Sequence, residues 1–200
     1  MAQAVSELGL RFAVLTCVAR DDLEDGGAGQ MAAAIRAIRA RSPETGVEVL
    51  ISDYGGDETA LRSVLDASPQ VLNHNIETVE RLQRRVRPAA GYQRSLTVLR
   101  RAGELRPDIP TKSGLMLGLG EREEEIEATL RDLREAGVSL LTLGQYLRPS
   151  PDQLPIHRYV PPEEFASWRK RAQALGFHVV VAGPLVRSSY HAEKLAGRLA

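Results

Sequence analysis

Apolar residues in this chain fall into short continuous runs separated by longer stretches of helical spacing, and that alternation predicts the architecture. Phe12 to Val18 is an apolar run of strand length. Residues 29–41 follow, with Met31, Ile35 and Ile38 one helical turn apart. Val47 to Ile51 predicts the next strand. The helix after it starts near Glu58 and presents Leu61, Val64 and Leu65. Gln70 to Asn73 is a third strand. Helical stretches at 78–84 and 92–103 come next, with Gly103 placed to stop the second. Thr111 to Leu117 reads as a strand, punctuated by Gly118-Leu119-Gly120. Residues 121–136 form the clearest helix, with a buried stripe of Ile126, Leu130 and Leu133. Glu121, Glu123, Glu124 and Glu125 fill its first turn, where the helix dipole favours negative charge, and Gly137 is a natural stop. Leu140 to Leu143, a Pro-rich connector over 149–162, a helix at 162–175 and a strand from Phe177 to Ala182 complete the pattern.

Repeated strand–helix units with continuous apolar strands predict a parallel sheet covered by helices. Polar residues and glycines gather just after the strands: Asp21-Asp22, Asp25-Gly26-Gly27, Asp53, His74-Asn75, Gly118 and Gln145-Tyr146. In parallel barrels that end carries the chemistry. No Gly-x-Gly-x-x-Gly opens a helix after the first strand, which argues against a dinucleotide-binding sheet. The expected fold is therefore α/β: an incomplete parallel (β/α) barrel of the TIM-barrel type, in one domain spanning 1–200. About six strands are predicted and the chain opens inside a helix (2–10), so a first β–α unit is expected to be missing. The free parallel edge would invite self-association.

Composition narrows the function classes. Of 200 residues, 43% are hydrophobic and 26% charged, the balance of a globular protein. Lys plus Arg and Asp plus Glu are 26 each, so no global field favours nucleic acid or an anionic membrane. No apolar run approaches the ~18 residues of a membrane span, and no secretory leader is visible. Cys17, the one cysteine, can form neither an internal disulfide nor a Cys-rich metal site. A cytoplasmic protein is expected.

Four strings hold candidate chemistry. Asp25-Gly26-Gly27 lies between a strand and a helix, where glycines let backbone approach a ligand and free amides hold an anion; a plain turn explains it equally. Asn73-His74-Asn75-Ile76-Glu77 ends an apolar strand. Alternation sends Asn73 and Asn75 to one face and His74 to the other, although Asn75 and Thr78 are also good helix caps. Lys112 sits inside an apolar strand, which is costly unless it is paired. Arg187-Ser188-Ser189-Tyr190-His191 follows the last strand and has the donors for a phosphate or a cluster; a polar tail is the plainer explanation. The Arg84, Arg85 and Arg87 run is a solvated face or a contact for an acidic protein.

Together these strings resemble the lipoyl synthase family. The resemblance rests on Leu15 to Leu23 with Asp25-Gly26-Gly27-Ala28, on Leu72 to Val79, on Val86-Arg87-Pro88, on Pro110 to Glu121, on Leu141 to Leu147 and on Gly183 to Ala192. It implies a radical S-adenosylmethionine (SAM) barrel with two [4Fe-4S] clusters, one cleaving SAM to a 5′-deoxyadenosyl radical and one donating sulfur. The implied reaction inserts sulfur at C6 and C8 of an octanoyl chain on a lipoyl carrier domain, such as dehydrogenase-complex E2 subunits or the glycine cleavage H protein. By the same resemblance, Gly26, Gly27, Asn75, Glu77 and Gly118 are SAM-binding residues and Lys112 faces the substrate. The segment at about 184–192 carries a serine ligand of the auxiliary cluster, placed on Ser189 with Ser188 as the fallback.

The departures are as specific as the matches. The family's Cys-x-x-x-Cys-x-x-Cys motif and the three further cluster cysteines are absent, and clusters are normally held by thiolates. Cys17 stands where the family has serine, Ala19 where it has aspartate, and Gly55-Gly56 where it usually has an arginine. The chain alone is therefore not expected to hold a cysteine-ligated cluster. It reads as a fragment, as half of a split enzyme whose partner segment bears the cysteines, or as a decayed barrel. Two other activities stay open: a non-catalytic module that binds a lipoyl carrier domain, and a cofactor-free enzyme using Lys112, Glu77 and His74 as acids and bases.

Overall fold

The computed structural model describes residues 1–190 and 192–197. Six strands form one parallel sheet in the order β1-β2-β3-β4-β5-β6: Phe12–Thr16, Gly46–Leu50, Val71–Asn73, Thr111–Leu117, Leu140–Gln145 and Val179–Gly183. Helices α1 (Ala2–Glu7), α2 (Ala28–Arg41), α3 (Glu58–Asp66), α4 (Gln83–Val86), α5 (Tyr92–Leu105), α6 (Glu123–Glu135), α7 (Pro162–Ala174) and α8 (Ala192–Ala196) complete the chain. Strand order equal to chain order, with every neighbour parallel, is the pattern of a (β/α) barrel wall.

Side-chain alternation divides each strand between helices and interior. The helical side is largely apolar: Val47, Val49, Leu72, Leu115, Leu141, Leu143 and Val180 pack under the helices in two large clusters. Strand register stacks the interior side in layers. One layer is Thr16, Leu50, Asn73, Lys112, Leu140 and Val179. The next, toward the strand ends, holds Gly114, Thr142 and Val181.

Several expected boundaries move. The helix expected over 121–136 begins at Glu123, because the Glu121 carboxylate is occupied before it, accepting from the Gly118 and Leu119 amides at 3.0 and 3.1 Å. Gly103 does not stop α5, which runs on to Leu105; the glycine sits in open space, where it costs helix stability without preventing the helix. The stretch 78–84 is not one helix but a 3-10 turn, Glu80–Leu82, followed by the single turn of α4. The opening helix ends at Glu7 rather than at residue 10. Gly137 does take the left-handed conformation (φ 86°) that ends α6.

Candidate functional site

Beyond Asn73 the chain of β3 stays extended to Asn75 and then turns sharply at Glu77. Glu77 keeps a foothold on β4: its amide donates to the Gly114 carbonyl at 2.9 Å, and the Met116 amide donates to the Glu77 carbonyl at 2.8 Å. Between these contacts Glu77 adopts φ 66°, a left-handed conformation rare for a side chain of this kind. Asn75 Nδ2 donates to Glu77 Oε1 at 3.0 Å, while the buried Asn75 Oδ1 has no partner. Opposite stands Gly114, where an added Cβ would lie 2.7 Å from Asn75 Oδ1 and 3.0 Å from Thr142 Oγ1. Only glycine lets the Asn75 amide come this close to the wall.

Asn75, Glu77, Gly114, Thr142, Arg187 and Ser188 line a cavity of about 250 Å³ at the C-terminal ends of the strands. A second hollow, about 360 Å³, shares Glu77, Met116 and Leu147 with it and is walled by Val86, Leu119 and Tyr146. Two larger hollows, about 550 and 580 Å³, open at the other end, around Gly46 and Gln70 and around Pro110 and Ser139. Size alone would favour these. In the first of them Arg106 is already paired with Asp108 at 2.6 Å, and that end of a barrel serves stability, so the smaller polar cavity is the better candidate.

Burial raises the Glu77 carboxyl above the ordinary carboxylate range; the Asn75 hydrogen bond and nearby Arg87 only partly offset it. A cation entering the cavity would therefore find a carboxylate short of positive partners. Beneath the site lies a sealed polar layer. Lys112 Nζ donates to both oxygens of Glu48, at 2.8 and 3.0 Å, and Asn73 Nδ2 donates to the same Glu48 at 3.0 Å.

His74 faces the helices, as alternation predicts, with Nδ1 3.0 Å from the Ile51 carbonyl and Nε2 2.9 Å from Ser95 Oγ. Burial lowers its pKa to about 4, against the opposing pull of the Ile51 carbonyl. The alternative of a cofactor-free site built from Lys112, Glu77 and His74 is not supported by this geometry. Lys112 is locked on Glu48, His74 lies on the far face of the strand, and only Glu77 reaches the cavity. A correction concerns the amides at Asp25-Gly26-Gly27. Gly26 and Gly27 do take left-handed φ (60° and 86°), but the Gly27 and Gly29 amides are not free. They donate to Asp25 at 2.8 and 2.7 Å, and this holds the Asp25 carboxyl below its usual range.

Gly118 (φ 105°) does not line the cavity. An added Cβ would stand 2.3 Å from Gln145 Nε2 and 2.6 Å from the Arg158 carbonyl, so the residue permits the close passage of the 149–162 connector. Ser188 lines the cavity, Ser189 is exposed, and His191 lies outside the described residues. The sequence does not single out Glu48 or Thr142. A carboxylate alternating inward from an otherwise apolar strand was the available signal for Glu48.

A family model described as the radical SAM superfamily matches residues 2–133. Lipoyl synthases are among the relatives: the protein of Rubrobacter xylanophilus is 58% identical over 97% of this chain and 60% of its own length. That of Thermus thermophilus is 56% identical over 98% and 61%, and that of Bacillus mycoides 55% over 97% and 65%. The chain thus spans about three fifths of the length of these relatives. Among solved structures, methylornithine synthase superposes with TM-score 0.67 at 12% identity, covering 94% of this chain and 62% of that one. A domain of the pyruvate-formate lyase-activating enzyme of Bacteroides vulgatus gives 0.62 at 12%, covering 86% and 98%. Likenesses at such identities speak to the fold alone.

Proposed function

Because the chain belongs to the radical SAM superfamily, we propose that it is the barrel portion of a lipoyl synthase-type enzyme. The proposed reaction is sulfur insertion at C6 and C8 of an octanoyl group carried on a lipoyl domain of an E2 subunit or H protein. The observation that carries this reading is identity of 55–58% to lipoyl synthases over 97–98% of the chain.

The residues fit the two kinds of cofactor differently. SAM brings an ammonium, a carboxylate and an adenosine. The cavity offers the orphaned Asn75 Oδ1 and the Glu77 carboxylate as acceptors, and the Arg187 guanidinium for an anionic group. Gly26 and Gly27 stand in the turn after β1, and the Gly118 carbonyl is taken by the His157 amide at 2.8 Å. Of these, Asn75 and Glu77 are the residues proposed to hold SAM directly. When bound, SAM supplies the carbon radical that removes hydrogen from the alkyl chain; this chain's part is to orient it and keep water away.

Iron–sulfur clusters do not fit this chain's own residues. Cys17 is its one cysteine, and no group of three His, Cys, Asp or Glu among the described residues could hold a metal. The cluster ligands are proposed to come from a cysteine-bearing segment outside these 200 residues, with Ser188 or Ser189 adding an oxygen ligand.

Sequencing the gene upstream of the Met1 codon and assaying the intact product tests the reading. In-frame Cys-x-x-x-Cys-x-x-Cys, and a lipoyl product from an octanoylated carrier domain, are expected. A product that binds the carrier domain and SAM without turnover would instead make this a carrier-binding module.

A further inference from the structure

Gln83 is 3% exposed and belongs to none of the sites above, yet its amide is committed to one purpose. Its Nε2 donates to the carbonyls of Ile76 at 2.7 Å and Thr78 at 2.8 Å. Arg87, four residues on, donates from Nη1 to the Asn75 carbonyl at 3.0 Å and shares Ser95 Oγ with His74. From the opposite side Ser113 Oγ accepts the Ile76 amide at 3.1 Å. With the Met116 amide on Glu77, each backbone carbonyl from Asn75 through Thr78 has a donor; that of Ile76 accepts the Thr78 amide at 2.8 Å as well as Gln83, and that of Thr78 depends on Gln83. Such bracing surrounds the residue that stands in the left-handed region and points its carboxylate into the cavity. Sparsely populated backbone states persist only where neighbours over-determine them, and buried carbonyls without donors are strongly disfavoured.

We propose that Gln83 and Arg87 are positioning residues that hold the Asn75–Thr78 turn left-handed, and so aim the Asn75 amide and the Glu77 carboxylate at the ligand. The identity of that ligand rests on the reading of the cavity as a SAM site; the bracing of the turn does not. Without the Gln83 donors the Thr78 carbonyl loses its partner and the Ile76 carbonyl keeps only the Thr78 amide. The turn then relaxes to negative φ at Glu77, the foothold on Gly114 and Met116 breaks, and the carboxylate leaves the cavity.

Gln83→Leu, of similar size and without donors, tests this, with Arg87→Met as a second variant. Two readouts are needed: crystal structures of the variants and calorimetric titration with SAM of the intact, cluster-loaded gene product. Expected are a negative φ at Glu77 in Gln83→Leu and at least a tenfold loss of SAM affinity. Adding Glu77→Gly to Gln83→Leu should restore the left-handed turn and raise the melting temperature by more than Glu77→Gly raises that of the wild type, because glycine takes that conformation freely; a mere packing defect at Gln83 would gain only the wild-type increment. An unaltered φ near 66° in both variants, or a gain in the double variant no larger than Glu77→Gly gives the wild type, overturns the proposal. Failure of the wild-type product to bind SAM would count against the cofactor reading, while the crystal structures still decide the role of Gln83.

Discussion

Lys112 and Glu48 meet across an intervening strand. The lysine stands on β4 and the glutamate on β2, yet Nζ reaches both carboxylate oxygens, and the two side chains are 0% and 1% exposed. Asn73, on β3 between them, donates to the same carboxylate. Breaking such a pair leaves one charge buried without its counter-ion. Lys112→Met or Glu48→Leu alone should cost about 3–5 kcal/mol, and the double variant less than either single one. Urea denaturation of all four proteins checks this; additive losses would show that the two charges do not depend on each other.

His74 makes stability depend on pH. Its folded pKa of about 4 lies below the ordinary 6.5, so between those values the unfolded chain binds a proton that the folded chain does not. The contribution is complete above about 6.5 and is lost as pH falls toward 4, amounting to about 3 kcal/mol. Glu77, raised by burial, works in the opposite sense, losing its contribution as pH rises through and above the carboxylate range. Comparing wild type with His74→Gln isolates the imidazole. The variant should show a flatter fall in urea midpoint from pH 7 to pH 5; identical slopes would refute a buried neutral His74.

At Glu77 stability and binding should part company. Glu77→Gly relieves a left-handed backbone and removes a half-buried carboxylate, so the protein should gain about 1 kcal/mol. It should also lose most of its affinity for a cationic ligand. Thermal melts and ligand titration on one preparation decide the matter, and a variant that is less stable and binds equally well would contradict both halves.

Gly118→Ala should be severe. Its Cβ would lie 2.3 Å from Gln145 and 2.6 Å from the Arg158 backbone, at a φ of 105° that suits glycine alone. A loss above about 3 kcal/mol is expected, with the connector displaced. Gly55→Ala, also at positive φ but with nothing within 4 Å, serves as the control for backbone strain without crowding.

Much of this was legible in the sequence, and for identifiable reasons. Apolar periodicity locates the six strands because each is buried under helices, and alternation alone puts His74 and Asn75 on opposite faces. Hidden from it were relations between distant residues. Nothing near Lys112 announces Glu48, 64 positions away. Asp25 reads as one member of a ligand loop, but satisfies that loop's amides itself. Gln83 looks like a solvent-facing helix residue, and its importance exists only because Glu77 turns left-handed six residues before α4 begins. Gly103 misleads because a helix whose Leu96, Leu99 and Ala102 are buried tolerates one half-buried glycine.

The alternation along β3 carries one more consequence. Asn73, His74 and Asn75 face in, out and in, with no spare residue before Glu77 closes the turn. Deleting or inserting one residue between Val71 and Asn73 would exchange the faces of everything that follows. The imidazole would arrive in the cavity, and an asparagine amide would be pressed into leucine-lined packing. This stretch should therefore accept changes of letter far more readily than changes of length, and the spacing itself is the inherited quantity.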